Sequence, residues 1–318
     1  MTQLREFSNG IICLRRKSLP MRQLLCFGLL LSCFAEAEEF SFRDRDTVVF
    51  LGNTFVERAQ QFGYLETELA LAAGVTEVRF RNLGWSGDTV FGTARSYFGT
   101  PKEGFDRLKN DLTGIKPTVV MVCYGAVAAF EGEKKKDEFI AGYGLLLDMI
   151  QGATGAREVI LLSPPPAETL PAPMPEMAKQ NGRLKIYRNA IRELASKRGL
   201  RFADLFGAMN GSSEGLTENG LHFGENGYAV VAPKLVEAMG LKAVSLKSEQ
   251  RDGLREKIME KNKLFFQQWR PSNETYLRLF RKHEQGQNAK ELDEFDAIIV
   301  SREAEIMELK GRVMEVAQ

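Results

Sequence analysis

The stretch FLGNTFVER (residues 50–58) places a threonine hydroxyl, that of Thr54, where an apolar run gives way to helical spacing. A hydroxyl in such a turn can attack an acyl carbon when a base lies within hydrogen-bond reach. The same residue fits a helix N-cap, and Glu57 three positions later completes the pattern of a capping box. Histidines are the commonest bases, and the chain has two, His222 and His283. His222 lies in the loop sequence NGLHFGENGY (219–228), where functional side chains concentrate; His283, in RLFRKHEQG, reads as part of a solvated helix end.

Five apolar runs must position these groups: TVVFLG (47–52), EVRFRNLG (77–84), TVVMVCYG (118–125), EVILLSP (158–164) and RFADLFG (201–207). They are continuous rather than alternating, which predicts parallel strands covered on both faces. Helical spacing falls between and after them, over 55–74, about 104–113, 134–153, about 176–198 and 224–240. The expected fold class is therefore α/β: a three-layer α/β/α sandwich around a parallel sheet. Ligands of such sheets bind outside the carboxyl ends of the strands. Four short blocks fall at those ends: GNT (52–54), NLGWSGDT (82–89), YGAVAAF (124–130) and NGLHFGENGY (219–228).

In this order, with these flanks, the four blocks resemble the SGNH hydrolases, the GDSL family of esterases and lipases, over about residues 46–240. The resemblance implies a flavodoxin-like sandwich and ester hydrolysis without a cofactor. In that family the first block reads GDS and its serine is the nucleophile; Thr54 takes that position here, with an added methyl that crowds attack. The second block supplies a glycine N–H to the oxyanion, which maps onto Gly87. The last block supplies the base and its orienting aspartate; His222 matches the base, and Asn219 stands in place of the aspartate. Asparagine can accept a bond from imidazole through its carbonyl but cannot balance a charge. The third block, GxND in the family, is Gly125-Ala126-Val127-Ala128 here, so Val127 replaces an oxyanion-donating asparagine.

These departures are large. Losing one oxyanion donor costs on the order of 10²–10³ in rate, and an Asp-to-Asn change in a triad about 10⁴. The chain is most similar to a bacterial subgroup that itself carries GNT and NGxH and a tail like WRPSNETY…FRKHEQGQNA, for which Thr54 and Asn219 are normal. Members of that subgroup often keep a third block like GFNE and a histidine near the position of Ala167; this chain departs at both. The resemblance therefore implies a weak ester hydrolase with a degenerate catalytic set, acting on a small-molecule or carbohydrate ester. The alternatives are a non-catalytic binding or scaffolding module that uses the same cleft, and a structural partner whose tail mediates assembly.

Composition narrows the rest. Lys+Arg 43 against Asp+Glu 42 leave a net charge of +1, which provides no electrostatic footprint for nucleic acid. No CxxC pair or zinc-ligand spacing occurs, so neither metal nor cofactor is expected. From Met21, MRQLLCFGLLLSCFAEAEE has the charged start, short apolar core and Ala35-Glu36-Ala37 site of an export signal; Leu30-Leu31-Ser32-Cys33 also resembles a lipobox. Removal of that segment takes Cys13, Cys26 and Cys33 with it, leaving Cys123 and no stable membrane span. The expected organisation is an N-terminal segment (1–37), the α/β domain (38–240) and a charged helical C-terminal extension (241–318) packed on it. Asp88 is expected to cap the following helix, and Trp85 to be buried between strand and helix.

Overall fold

Alternate side chains of each apolar run go to opposite faces of one sheet. Val48, Phe50, Met121 and Ile160 enter one hydrophobic layer, and Val49, Leu51, Val122 and Leu161 the other. The strands are β1 (Asp46–Gly52), β2 (Val78–Asn82), β3 (Val119–Cys123), β4 (Glu158–Leu162) and β5 (Arg201–Ala203). Their order is β2-β1-β3-β4-β5, and every neighbouring pair is parallel. That order reverses direction between β1 and β3, where such sheets open a crevice at their carboxyl ends. The computed structural model describes residues 39–317 apart from Ser213. The expected export segment and lipobox, with Cys13, Cys26 and Cys33, lie outside the described residues.

Helices α1 (Thr54–Phe62), α2 (Tyr64–Ala72), α6 (Leu205–Ala208) and α7 (Glu225–Ala238) contribute to one layer; α3 (Pro101–Ile115), α4 (Lys136–Thr154) and α5 (Ala178–Arg198) contribute to the other. The fold is thus the three-layer α/β/α sandwich that the runs predict. One helix differs. The spacing over 55–74 predicts a single helix, but the chain breaks at Gly63, which adopts the left-handed conformation (φ 71°) that glycine reaches freely. A Cβ at that position would lie 2.9 Å from Met259 Cγ, so the break is where the C-terminal region docks.

That region forms α8 (Ser248–Trp269), the short α9 (Glu274–Leu277) and α10 (Lys282–Gln285), and α11 (Glu294–Ala317). Leu254 and Ile258 of α8 and Ile306 and Val313 of α11 bury against Leu71 of α2. The same region shields β2, the strand at one edge of the sheet. Lys261 Nζ donates to Phe80 O at 3.2 Å and to Asn262 Oδ1 at 2.7 Å, and it pairs with Glu66 at 2.7 Å. An open edge invites pairing with other chains; here α8 occupies its flank, and Glu39–Gln318 forms one compact unit.

On α11, burial pushes the ammonium of Lys310 down to about 8, while its Nζ donates to Thr76 O at 2.7 Å. Between that value and the ordinary lysine value of about 10.4, the unfolded chain binds more protons than the folded one, so stability rises with pH. The denaturant midpoint is expected to gain more between pH 8 and pH 10 in the wild type than in Lys310→Met. Parallel pH dependence in the two proteins would contradict this.

Candidate active site

Thr54 is the first residue of α1, and Asn53 precedes it as N-cap without a side-chain capping bond. Thr54 Oγ1 instead accepts from Gly87 N at 3.2 Å. The capping-box expectation for Thr54 and Glu57 is therefore corrected. Glu57 accepts from Ser86 N and, at 3.0 Å, from Arg270 Nη1. The cause is close packing: the block after β2 lies against the start of α1. Asn82 Nδ2 donates to Val56 O at 2.7 Å, and a Cβ on Gly84 would come within 2.2 Å of Glu57 N. Gly87 itself has φ 73°, which turns its N–H toward the threonine.

Asp88 holds that loop from beneath. It is fully buried and accepts from Arg95 Nε at 2.7 Å, Tyr124 Oη at 2.9 Å and Ala94 N at 3.2 Å. Capping the short helix Thr93–Ser96 is thus the lesser part of its role. Through Tyr124 it ties the loop after β2 to the segment after β3. Burial, with Asp88 as neighbour, pushes the Tyr124 phenol well above its ordinary value, so it stays a donor. Trp85 is buried, but against Trp269, Arg270 and Arg95 rather than simply between strand and helix.

His222 is held by Asn219, though not as the sequence suggests. Asn219 Oδ1 accepts from His222 N at 2.9 Å and from Leu221 N at 3.2 Å. Those two N–H groups fix which end of the amide is oxygen, since the reversed amide would set donors against donors. The carbonyl is therefore occupied, and Asn219 Nδ2 faces His222 Nδ1 at 3.3 Å. The expectation that Asn219 accepts from the imidazole is corrected: its N–H₂ donates to Nδ1, which places the ring proton on Nε2.

The loop carrying this pair is pinned by Glu168. Its carboxylate accepts from Thr217 Oγ1 at 2.6 Å, Thr217 N at 2.7 Å, Gly215 N at 2.5 Å and Leu216 N at 3.1 Å. Burial raises the Glu168 carboxyl, but these donors outweigh it and hold the group below its ordinary value. On the other side, Arg58 pairs with Glu218 at 2.5 Å.

Thr54 and His222 line one pocket of about 110 Å³ at the β1/β3 crevice, together with Ala126, Val127, Ala167 and Gln180. Among the described residues, no hydrogen bond joins the threonine hydroxyl to the imidazole. Val127 and Ala167 make the pocket wall apolar. His283 lies elsewhere, with its side chain 74% exposed on α10 beside Glu284. Among the described residues, no group of three or more His, Cys, Asp or Glu is arranged to hold a metal ion.

The family model of the GDSL-like lipase/acylhydrolases matches residues 52–230, more than half of the chain. The chain belongs to that family. No curated protein sequence matches this GDSL-family chain. Solved structures share its fold. A gut microbial diltiazem-metabolizing enzyme superposes with a TM-score of 0.64 at 12% identity, covering 85% of this chain and 96% of that one. A protein described as a GDSL-like lipase from Parabacteroides merdae gives 0.53 at 17% identity, covering 64% of this chain and 100% of that one. A catalytic mutant of an acetylxylan esterase from Geobacillus stearothermophilus gives 0.50 at 17% identity, covering 65% and 100%. The sequence reading overlooked Glu168, Asn82 and Gln180 in this GDSL-family site. The partners of Glu168 and Asn82 lie on other segments, Gln180 has none among the described residues, and no local pattern singles out any of the three.

Proposed function

We propose that the chain hydrolyses esters of short acyl groups, including acyl groups carried by carbohydrates, as a slow enzyme. The observation that carries this reading is the Thr54 hydroxyl, which touches the Gly87 N–H and opens into the same pocket as His222. Thr54 attacks the acyl carbon, His222 takes its proton through Nε2, and the N–H groups of Gly87 and Thr54 receive the oxyanion. Collapse expels the alcohol, which takes the proton back from His222, and a water activated by His222 then releases the acyl group from Thr54 as the acid. Asn219 is a positioning residue. Its amide favours the tautomer with Nε2 protonated, so only the minority tautomer can act as base, and no carboxylate balances the imidazolium. A pocket of about 110 Å³ walled by Ala126, Val127 and Ala167 supports a small uncharged acyl group. The acetylxylan esterase among the structural neighbours supports an acylated sugar as substrate. The segment from Met21 supports action outside the cytoplasm.

Turnover of p-nitrophenyl acetate tests the assignment. It is expected to fall at least about 10²-fold, to background, in both Thr54→Ala and His222→Ala, since residues acting as a unit fail together. Hydrolysis unchanged in both variants would remove the enzymatic reading. The donor facing Nδ1 favours that second reading, a module that binds its ligand in the same pocket without turning it over.

A further inference from the structure

Gln180 lines the pocket with Thr54 and His222 and is only 6% exposed. It is the third residue of α5. Glutamine at that position ordinarily reaches back to the backbone N–H of the N-cap residue. Here Thr169 Oγ1 accepts from Met177 N at 3.2 Å, and α5 has no side-chain cap of its own. The carboxamide of Gln180 is thereby released. Its Nε2 is sealed from solvent without a partner, and among the described residues the carboxamide makes no hydrogen bond at all. Buried polar groups are almost always paired, and one left unpaired is destabilising; a ligand in the pocket that Gln180 lines is a partner within reach of its carboxamide.

The surroundings say what that ligand offers. Val127, Ala126 and Ala167 contribute no side-chain donor. No lysine or arginine is among the described residues lining the pocket, so the wall suits an uncharged group and not a carboxylate. A half-turn of the last Gln180 torsion exchanges the two ends of the carboxamide without backbone movement, turning the N–H₂ to the opening and placing Oε1 where Nε2 was sealed. We propose that Gln180 donates to the carbonyl oxygen of the bound acyl group, filling from α5 the role that Val127 leaves empty after β3. This rests on the ester-hydrolase reading for its catalytic consequence but not for binding. Each donor of this kind meets an oxygen whose negative charge grows on attack, so it acts on kcat more than on KM.

Two measurements on the full chain test it. In the first, Gln180→Met, an apolar near-isostere, is expected to lower kcat for p-nitrophenyl acetate on the order of 10²-fold. Its melting midpoint should stay at or above wild type, because an unpaired amide has been removed. Wild-type kcat in that variant would overturn the proposal while leaving the enzymatic reading intact. In the second, 4-nitroacetanilide, which carries the same acetyl carbonyl on an unreactive amide, is titrated into ¹⁵N-labelled wild type and Gln180→Met. Affinity at least tenfold weaker in the variant, with the Gln180 side-chain amide signal shifting in the wild type, supports the proposal even if no turnover is found. Equal affinities, or no binding to either protein, overturn it.

Discussion

Asn219→Asp is expected to raise the turnover of p-nitrophenyl acetate by about 10²-fold or more, the reverse of a change that costs about 10⁴ in a complete triad. In the native chain Asn219 Oδ1 is held by the N–H groups of Leu221 and His222, and Nδ2 donates toward His222 Nδ1. A carboxylate keeps both backbone bonds on one oxygen and presents the second oxygen to Nδ1. The ring proton then moves to Nδ1, Nε2 becomes free to take the threonine proton, and the imidazolium gains a counter-charge. The gain falls short of 10⁴ because Thr54 remains a crowded nucleophile. The added activity should vanish in Asn219→Asp/His222→Ala. If Asn219→Asp alone leaves the rate unaltered, His222 is not the base and the proposed mechanism falls.

Lys261→Ala is expected to cost about 3–5 kcal/mol of stability, the usual consequence of stripping one partner from a buried ion pair. Lys261 is 1% exposed and Glu66 7%. Burial raises the Glu66 carboxyl and lowers the Lys261 ammonium, and the opposing charge of the partner offsets only part of each shift. Removing the lysine leaves a carboxylate sealed under α8 and also frees Phe80 O on the edge strand. Replacing both partners, as Glu66→Leu with Lys261→Met, should recover most of the loss, since no charge then remains to be solvated. Denaturant midpoints of the single and double variants measure this. A single variant within about 1 kcal/mol of wild type would mean that water reaches the pair as it does an exposed one.

These two sites differ in how much of them the sequence reveals. Uninterrupted apolar runs such as TVVMVCYG leave few architectures besides a parallel sheet with helices on both faces, because each residue's direction along a strand is set by its neighbours. The order of GNT, NLGWSGDT, YGAVAAF and NGLHFGENGY then brings Thr54 and His222 to the same end of that sheet without reference to any side-chain contact. Gly63 shows the limit of periodicity: the 3.6-residue pattern continues across it, and the break becomes intelligible only through Met259, nearly two hundred positions later.

The amino-acid sequence by itself thus determined the layers, the strand ends and the residues gathered there. Only the tertiary structure decided what those residues do to each other. It turned Asn219's amide the opposite way to an aspartate's second oxygen, gave Thr54 to Gly87 instead of to a helix cap, and left Gln180 with no partner because Thr169 had taken its place. The physical reason is range. Hydrophobic periodicity is written within a few consecutive residues, whereas a side-chain hydrogen bond depends on which donors and acceptors distant segments bring within about 3 Å.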